Sequence, residues 1–333
     1  MEKRFLKNNQ SKMKQAIIDF PKQFSYQPEI INEDNFINKS SFVLLGMGGS
    51  HLAGDLMLKF HPDLPLTIHQ DYGLPTKNTK ESLIIACSYS GNTEEVLSGL
   101  EEARARNLPV VVISTGGQLL AIAQKNNLPY IQIPDDGIQP RLAVGYLFLA
   151  LAKFLNQDHI LTEAKKLSDS LNPSQAKEKA EGLIELLKGK IPVIYSSAQN
   201  QALAYNWKIK FNETGKIPAF YNLFPELNHN EMTGFDFTEV SHALSENFSF
   251  IILTDEEDHP QIKKRMVVLT KLYREKNLTV QEFNLTGNNN LEKTFQSLLV
   301  ADWLTLHLAE YYQADPEAVP MVESFKKLLV NRP

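Results

Sequence analysis

A hydroxyl-rich hexapeptide, Ser88-Tyr89-Ser90-Gly91-Asn92-Thr93, stands between an apolar run and an amphipathic one. The run before it, Leu83–Cys87, is short and apolar throughout, the pattern of a strand buried on both faces. After Glu94, the residues Val96, Leu97, Leu100 and Ala103 share one stripe at helical spacing. A chain so written hands a strand over to a helix inside the hexapeptide. The first amides of a helix have no partner within it, and its dipole is positive at that end. Three hydroxyls add donors without adding charge, and a glycine lets the backbone turn. Such a turn is suited to an anion, phosphate above all. Simple capping of the helix by Thr93 or Asn92 is the plainer reading, but it uses only one of the three hydroxyls.

Strand and helix signals alternate through the first half. Strands are expected at 41–46, 66–69, 83–87, 110–114 and 130–133, the fourth stopped by Gly116-Gly117. Helices are expected at 51–60, 93–106, 119–126 and 141–155. This alternation implies a parallel sheet covered on both faces. The polar stretch 158–188, broken by Pro173, reads as a crossing. The pattern then restarts with strands at 192–197, 218–223, 248–254 and 279–285 and helices at 199–213 and 259–276. Long helices are expected at 291–312 and 321–330. Two related α/β units follow, with domains at 1–156 and 157–333. The turn Ser196-Ser197-Ala198-Gln199 stands where Gly46-Met47-Gly48-Gly49-Ser50 stands in the first half. Crevices at the carboxyl ends of parallel strands are where such units bind ligands. A chain of 333 residues also favours two cores over one.

Composition narrows the chemistry. The formal charge is −5, which gives no general attraction for nucleic acid, so a small anion must be held locally. The single cysteine, Cys87, forbids an internal disulfide, fits a reducing cytoplasm, and reads as strand filler rather than nucleophile. The polar N-terminus carries no apolar signal core, and no apolar run approaches the ~20 residues needed to span a bilayer. A dinucleotide site at Gly46-Met47-Gly48-Gly49-Ser50 fails because the third glycine of the fingerprint would fall on His51. The remaining histidines are scattered without ligand spacing, which disfavours a zinc site.

Glu213 falls in the last turn of an expected helix, stopped by Gly215 and Pro218. A carboxylate there faces the negative end of the dipole and is the better proton acceptor for it. The plain alternative is a surface acid partly neutralised by Lys216. His229 lies in an expected loop between Asn228 and Asn230, where an imidazole can take up or give a proton, although a lone loop histidine is usually only surface.

The two N-terminal loops together resemble the sugar-isomerase (SIS) domain. The segments Phe211-Asn212-Glu213-Thr214-Gly215-Lys216-Ile217-Pro218-Ala219 and Phe224-Pro225-Glu226-Leu227-Asn228-His229-Asn230-Glu231, with Pro140-Arg141 and Lys326, resemble the bifunctional phosphoglucose/phosphomannose isomerase family. The resemblance implies two flavodoxin-like SIS domains with C-terminal helices, and interconversion of glucose 6-phosphate and mannose 6-phosphate with fructose 6-phosphate through a cis-enediol. It implies that Gly48, Gly49, Ser50, Ser88, Ser90 and Thr93 hold the phosphate. It further implies that Glu213 moves the proton between C1 and C2, that Arg141 stabilises the enediolate, and that His229 and Lys326 assist ring opening. No metal or other cofactor is implied. A homodimer is, with His229 reaching the partner's site. A small residue near Ala318 and Val319 is expected to admit both epimers. Two alternatives stay open at this point: a non-catalytic phosphosugar sensor, which would lack the base, and a pentose-phosphate isomerase.

Overall fold

The computed structural model describes residues 2–77 and 79–330. Nine strands are β1 Phe42–Leu45, β2 Leu66–His69, β3 Leu83–Cys87, β4 Val110–Ser114, β5 Tyr130–Gln132, β6 Ile191–Ser197, β7 Phe220–Phe224, β8 Phe248–Thr254 and β9 Thr279–Asn284 among the described residues. The helices are α1 Glu2–Asp19, α2 Gly49–Phe60, α3 Glu94–Ala105, α4 Gly117–Lys125, α5 Val144–Phe154, α6 Asp158–Lys165, α7 Leu167–Ser170 and α8 Pro173–Ile184, followed by α9 Gln201–Glu213, α10 Glu231–Gly234, α11 His242–Ser245, α12 Pro260–Glu275, α13 Asn290–Tyr311 and α14 Pro320–Val330. The chain forms two compact units. One comprises 19–172 with 287–295; the other comprises 1–18, 173–286 and 296–333. This division and a cut after residue 156 part ways at α1, at 157–172 and at the short return 287–295.

The first unit (19–172 with 287–295) holds a five-stranded parallel sheet in the order β2-β1-β3-β4-β5. Its strands are apolar at every position of β1, β3 and β4 except Ser114, because both faces are covered. Alternate residues serve alternate faces. Leu44 packs on α2, where a β-carbon at Gly54 would come within 2.5 Å of it. Leu45 packs on α3, where one at Gly99 would come within 2.7 Å. Val43, Ile84, Ala86 and Val112 join Val96, Leu100 and Leu119 in one buried cluster. The other unit holds a four-stranded parallel sheet, β7-β6-β8-β9, with Tyr195, Phe250 and Ile252 packed on Met266, Leu269 and Tyr273 of α12. In both sheets the second strand lies outside the first and the third lies on its other side, so the chain order reverses at the first strand. A cleft opens at the carboxyl ends of strands flanking such a reversal.

Two expectations are corrected. Arg141 does not open α5; it lies in a single 3₁₀ turn, Pro140–Leu142, which Ala143 separates from the helix. Pro140 starts that turn at a position where a missing N–H costs nothing. Pro173 does not merely interrupt a polar helix; for the same reason it begins α8. Residues 1–40, which hold no diagnostic motif, contain α1, seated through the buried Met13 and Ile17.

Candidate active site

Pairing of β1 with β3 brings two sequence-distant loops side by side. The Tyr89 N–H donates to Ser50 Oγ at 3.0 Å, joining the turn after β1 to the turn after β3. The Gly91 N–H donates to Ser88 Oγ at 3.1 Å, and Ser88 Oγ lies 2.8 Å from Thr93 Oγ1. Thr93 occupies the cap position of α3, yet its hydroxyl makes no capping bond into that helix. The hydroxyls of this loop therefore do not serve to cap α3, whereas Asn92 Oδ1 accepts from the Gln118 N–H at 3.1 Å in the first turn of α4. Ser90 is exposed at the rim and accepts from the Asn92 N–H at 3.3 Å. On the other side, Gly48 precedes α2 at a φ of +52°, a conformation suited to glycine.

Two further features shape this cradle. A β-carbon at Gly91 would lie 1.9 Å from the Gly116 carbonyl oxygen, and one at Gly117 would lie 2.4 Å from that of Ser90. The Gly116-Gly117 pair, read from sequence only as a strand stop, is the surface against which the hydroxyl loop folds. Its signal was present, two adjacent glycines after a strand, but their partner lay about 25 residues away and no local pattern names it. The Leu119 N–H closes the contact by donating to Gly91 O at 2.9 Å. The second feature is Arg141, which is buried. Its peptide approaches α2 so closely that a β-carbon at Gly49 would lie 2.7 Å from Pro140 C and 2.9 Å from Arg141 N. The guanidinium is thereby carried by the same unit as Gly48, Gly49, Ser50, Ser88, Ser90 and Thr93. Below the loop, Cys87 is buried, and burial pushes its thiol up to about 12. It donates to Ser50 O at 3.5 Å and is no nucleophile at neutral pH.

Glu213, His229 and Lys326 belong to the other unit. Glu213 is the last residue of α9 and is half-buried. The helix beneath it is anchored by Trp207, whose indole donates to Ser297 Oγ at 3.0 Å, and by a buried ion pair of Lys210 with Asp302 at 2.5 Å. Breaking one half of such a pair typically costs about 3–5 kcal/mol, so the helix end is held firmly. The Thr214 and Gly215 amides both donate to Lys210 O, closing α9.

His229 is exposed and follows a 3₁₀ turn, Glu226–Asn228, donating its N–H to Glu226 O at 2.9 Å. The segment is fixed from beyond by Glu231. Tyr195 donates to one carboxylate oxygen at 2.5 Å, and Asn222 donates to the other. Burial, with Tyr273 and Glu231 nearby, pushes the Tyr195 phenol far up, so it remains a donor. Lys326 is exposed on α14, as is Lys327. Among the described residues no group of three or more His, Cys, Asp or Glu side chains could hold a metal ion, and no helix is long and apolar enough to cross a membrane.

Known proteins give the arrangement a lineage. Residues 176–329 match the family model described as bacterial phospho-glucose isomerase C-terminal SIS domain. The chain is 35% identical over 306 residues to the bifunctional phosphoglucose/phosphomannose isomerase of Caldicellulosiruptor bescii, covering 87% of this chain and 89% of that one. It is 32% identical over 291 residues to the protein of the same name from Aquifex aeolicus, covering 86% and 89%. In fold it is similar to hypothetical protein TT0462 of Thermus thermophilus, with a TM-score of 0.70 at 18% identity over 99% of this chain and 94% of that one. With sheets of this topology and similarity of this extent, the chain belongs to the bifunctional phosphoglucose/phosphomannose isomerase family.

Proposed function

We propose that this protein interconverts glucose 6-phosphate and mannose 6-phosphate with fructose 6-phosphate. The observation that carries the reading is the hydroxyl loop: Thr93 turns its oxygen to Ser88 instead of capping α3, so the first turn of that helix faces the cradle without a side-chain cap. Family membership and the retention of Glu213 and His229 support catalysis over mere sensing.

The phosphate is gripped by Ser50, Ser88, Ser90 and Thr93, with backbone N–H groups near Gly48 and Gly49. Ser50 accepts from the Tyr89 amide through a lone pair, so its own proton is free to point at a phosphate oxygen. His229 gives a proton to the ring oxygen as the bond from that oxygen to the anomeric carbon breaks, the anomeric hydroxyl gives up its own proton to leave the open-chain carbonyl, and Lys326 assists. Glu213 takes the C2 proton and delivers it to C1, passing through a cis-enediol, while Arg141 bears the charge that develops on oxygen. The enediol has no stereocentre at C2, so reprotonation on either face yields either epimer. Space beside Ala318 and Val319 sets how freely the C2–C3 bond turns. The working form is a homodimer in which His229 serves the partner's site, and the compartment is the cytoplasm.

A coupled assay tests this directly. Purified protein given fructose 6-phosphate should form both glucose 6-phosphate and mannose 6-phosphate. Formation of neither overturns the reading, and turnover of arabinose 5-phosphate alone moves it to a pentose-phosphate isomerase.

A further inference from the structure

Among the described residues, seven other than glycine hold the left-handed backbone conformation: five are Asn, one is Gln313, and the last is Lys216 at a φ of +56°. Asparagine tolerates this region because its short amide bonds locally. Lysine gains nothing of that kind, so its side chain must justify the position. Lys216 Nζ donates to Glu213 O at 2.5 Å and also to Ala318 O. The first acceptor is the terminal carbonyl of α9, at the negative end of the dipole, where a cation is favoured. The second stands two residues before α14.

The segment around Ala318 is itself a fixed turn. Asp315 accepts from Asn9 Nδ2 at 2.7 Å, from the Glu317 N–H at 2.9 Å and from the Ala318 N–H at 3.2 Å. Burial pushes the Asp315 carboxyl up, but these bonds and the Lys216 charge outweigh it and hold it below the usual range. Lys216 thus fastens the peptide of Glu213 to a turn that is already rigid.

We propose that Lys216 is a positioning residue for the isomerisation, a clamp that sets the Glu213 carboxylate against the turn from which α14 springs. The inference rests on the reading of Glu213 as the base. Transfer of a proton between adjacent carbons tolerates little displacement of that base, and a shift of about 1 Å can cost roughly a hundredfold in rate.

The test is Lys216→Gly beside Lys216→Arg, with fructose 6-phosphate as substrate. Glycine suits the left-handed backbone, so Lys216→Gly relieves the conformation while removing the clamp. Expected are a fall in kcat of about tenfold or more, a KM within about twofold of wild type, and a Tm no lower than wild type. Lys216→Arg keeps a cation able to reach both carbonyls and should return kcat to within about threefold. Wild-type kcat in Lys216→Gly overturns the inference. So does a lowered Tm with no recovery in Lys216→Arg, since that marks a merely structural lysine. A wild-type protein inactive on hexose phosphates fails the isomerase reading itself, and this inference with it.

Discussion

The two sheets are wound alike, yet the turns at their switch points are built from opposite chemistry. In the first unit, β1 and β3 end in glycine and hydroxyl turns that present donors and carry no charge. In the other, β6 and β8 are the corresponding neighbours. There Asn200 Nδ2 lies 3.2 Å from Asp255 Oδ2, 3.3 Å from Asp258 Oδ1 and 3.3 Å from Ser197 Oγ, all buried. The place that could hold an anion is filled by two carboxylates and an amide. Topology supplies a cleft in both units. Residue type decides that one turn presents uncharged donors, as the proposed phosphate grip requires, and the other is a closed knot of acids. The unit with the knot carries Glu213, the base in the proposed reaction, and the hydroxyl loop proposed to grip phosphate belongs to the other unit.

That division can be broken in three ways. The largest effect is expected for Glu213→Gln, which cannot accept a proton. Its kcat should fall by about three decades, roughly 4 kcal/mol, while phosphosugar affinity measured by calorimetry stays close to wild type. Near-normal turnover would remove Glu213 from the chemistry. The second is Asn200→Ala, which strips the donor from two buried carboxylates. Unfolding in urea should show a loss of about 2 kcal/mol, with the KM for fructose 6-phosphate unchanged. A raised KM without lost stability would make the knot a binding element after all. The smallest is Ser88→Ala combined with Thr93→Ala. Here KM should rise about tenfold, roughly 1.4 kcal/mol, with melting little altered. An unaltered KM would leave the two units without the proposed contrast.

Much of the framework is legible in short runs of residues. The strands β2, β3, β4 and β8 match their expected limits, because compact apolar segments bounded by turn residues admit few other states. The helix α1 was not legible, since its apolar positions are sparse and its partners are remote in the chain. The short α10 and α11 escape for a related reason: four residues hold too little periodicity to register. In the site, Ser88 and Thr93 announce themselves beside Gly91, and Glu213 beside Gly215. Their supports do not. Gly116-Gly117, the Pro140–Arg141 peptide against Gly49, and Ala318 above Lys216 all act across long sequence separations.

The chain's own order of residues therefore determined the alternation of strands and helices, the uncharged donor loop, and the helix that ends in a carboxylate. Each follows from neighbours a few positions apart, where propensity, periodicity and capping act. Only the folded molecule decided which turns lie side by side, which cleft is stopped by acids, and why a lysine occupies a backbone conformation that favours asparagine. Those outcomes depend on strand order and on close backbone approaches, and such distances exist only once the sheets have formed.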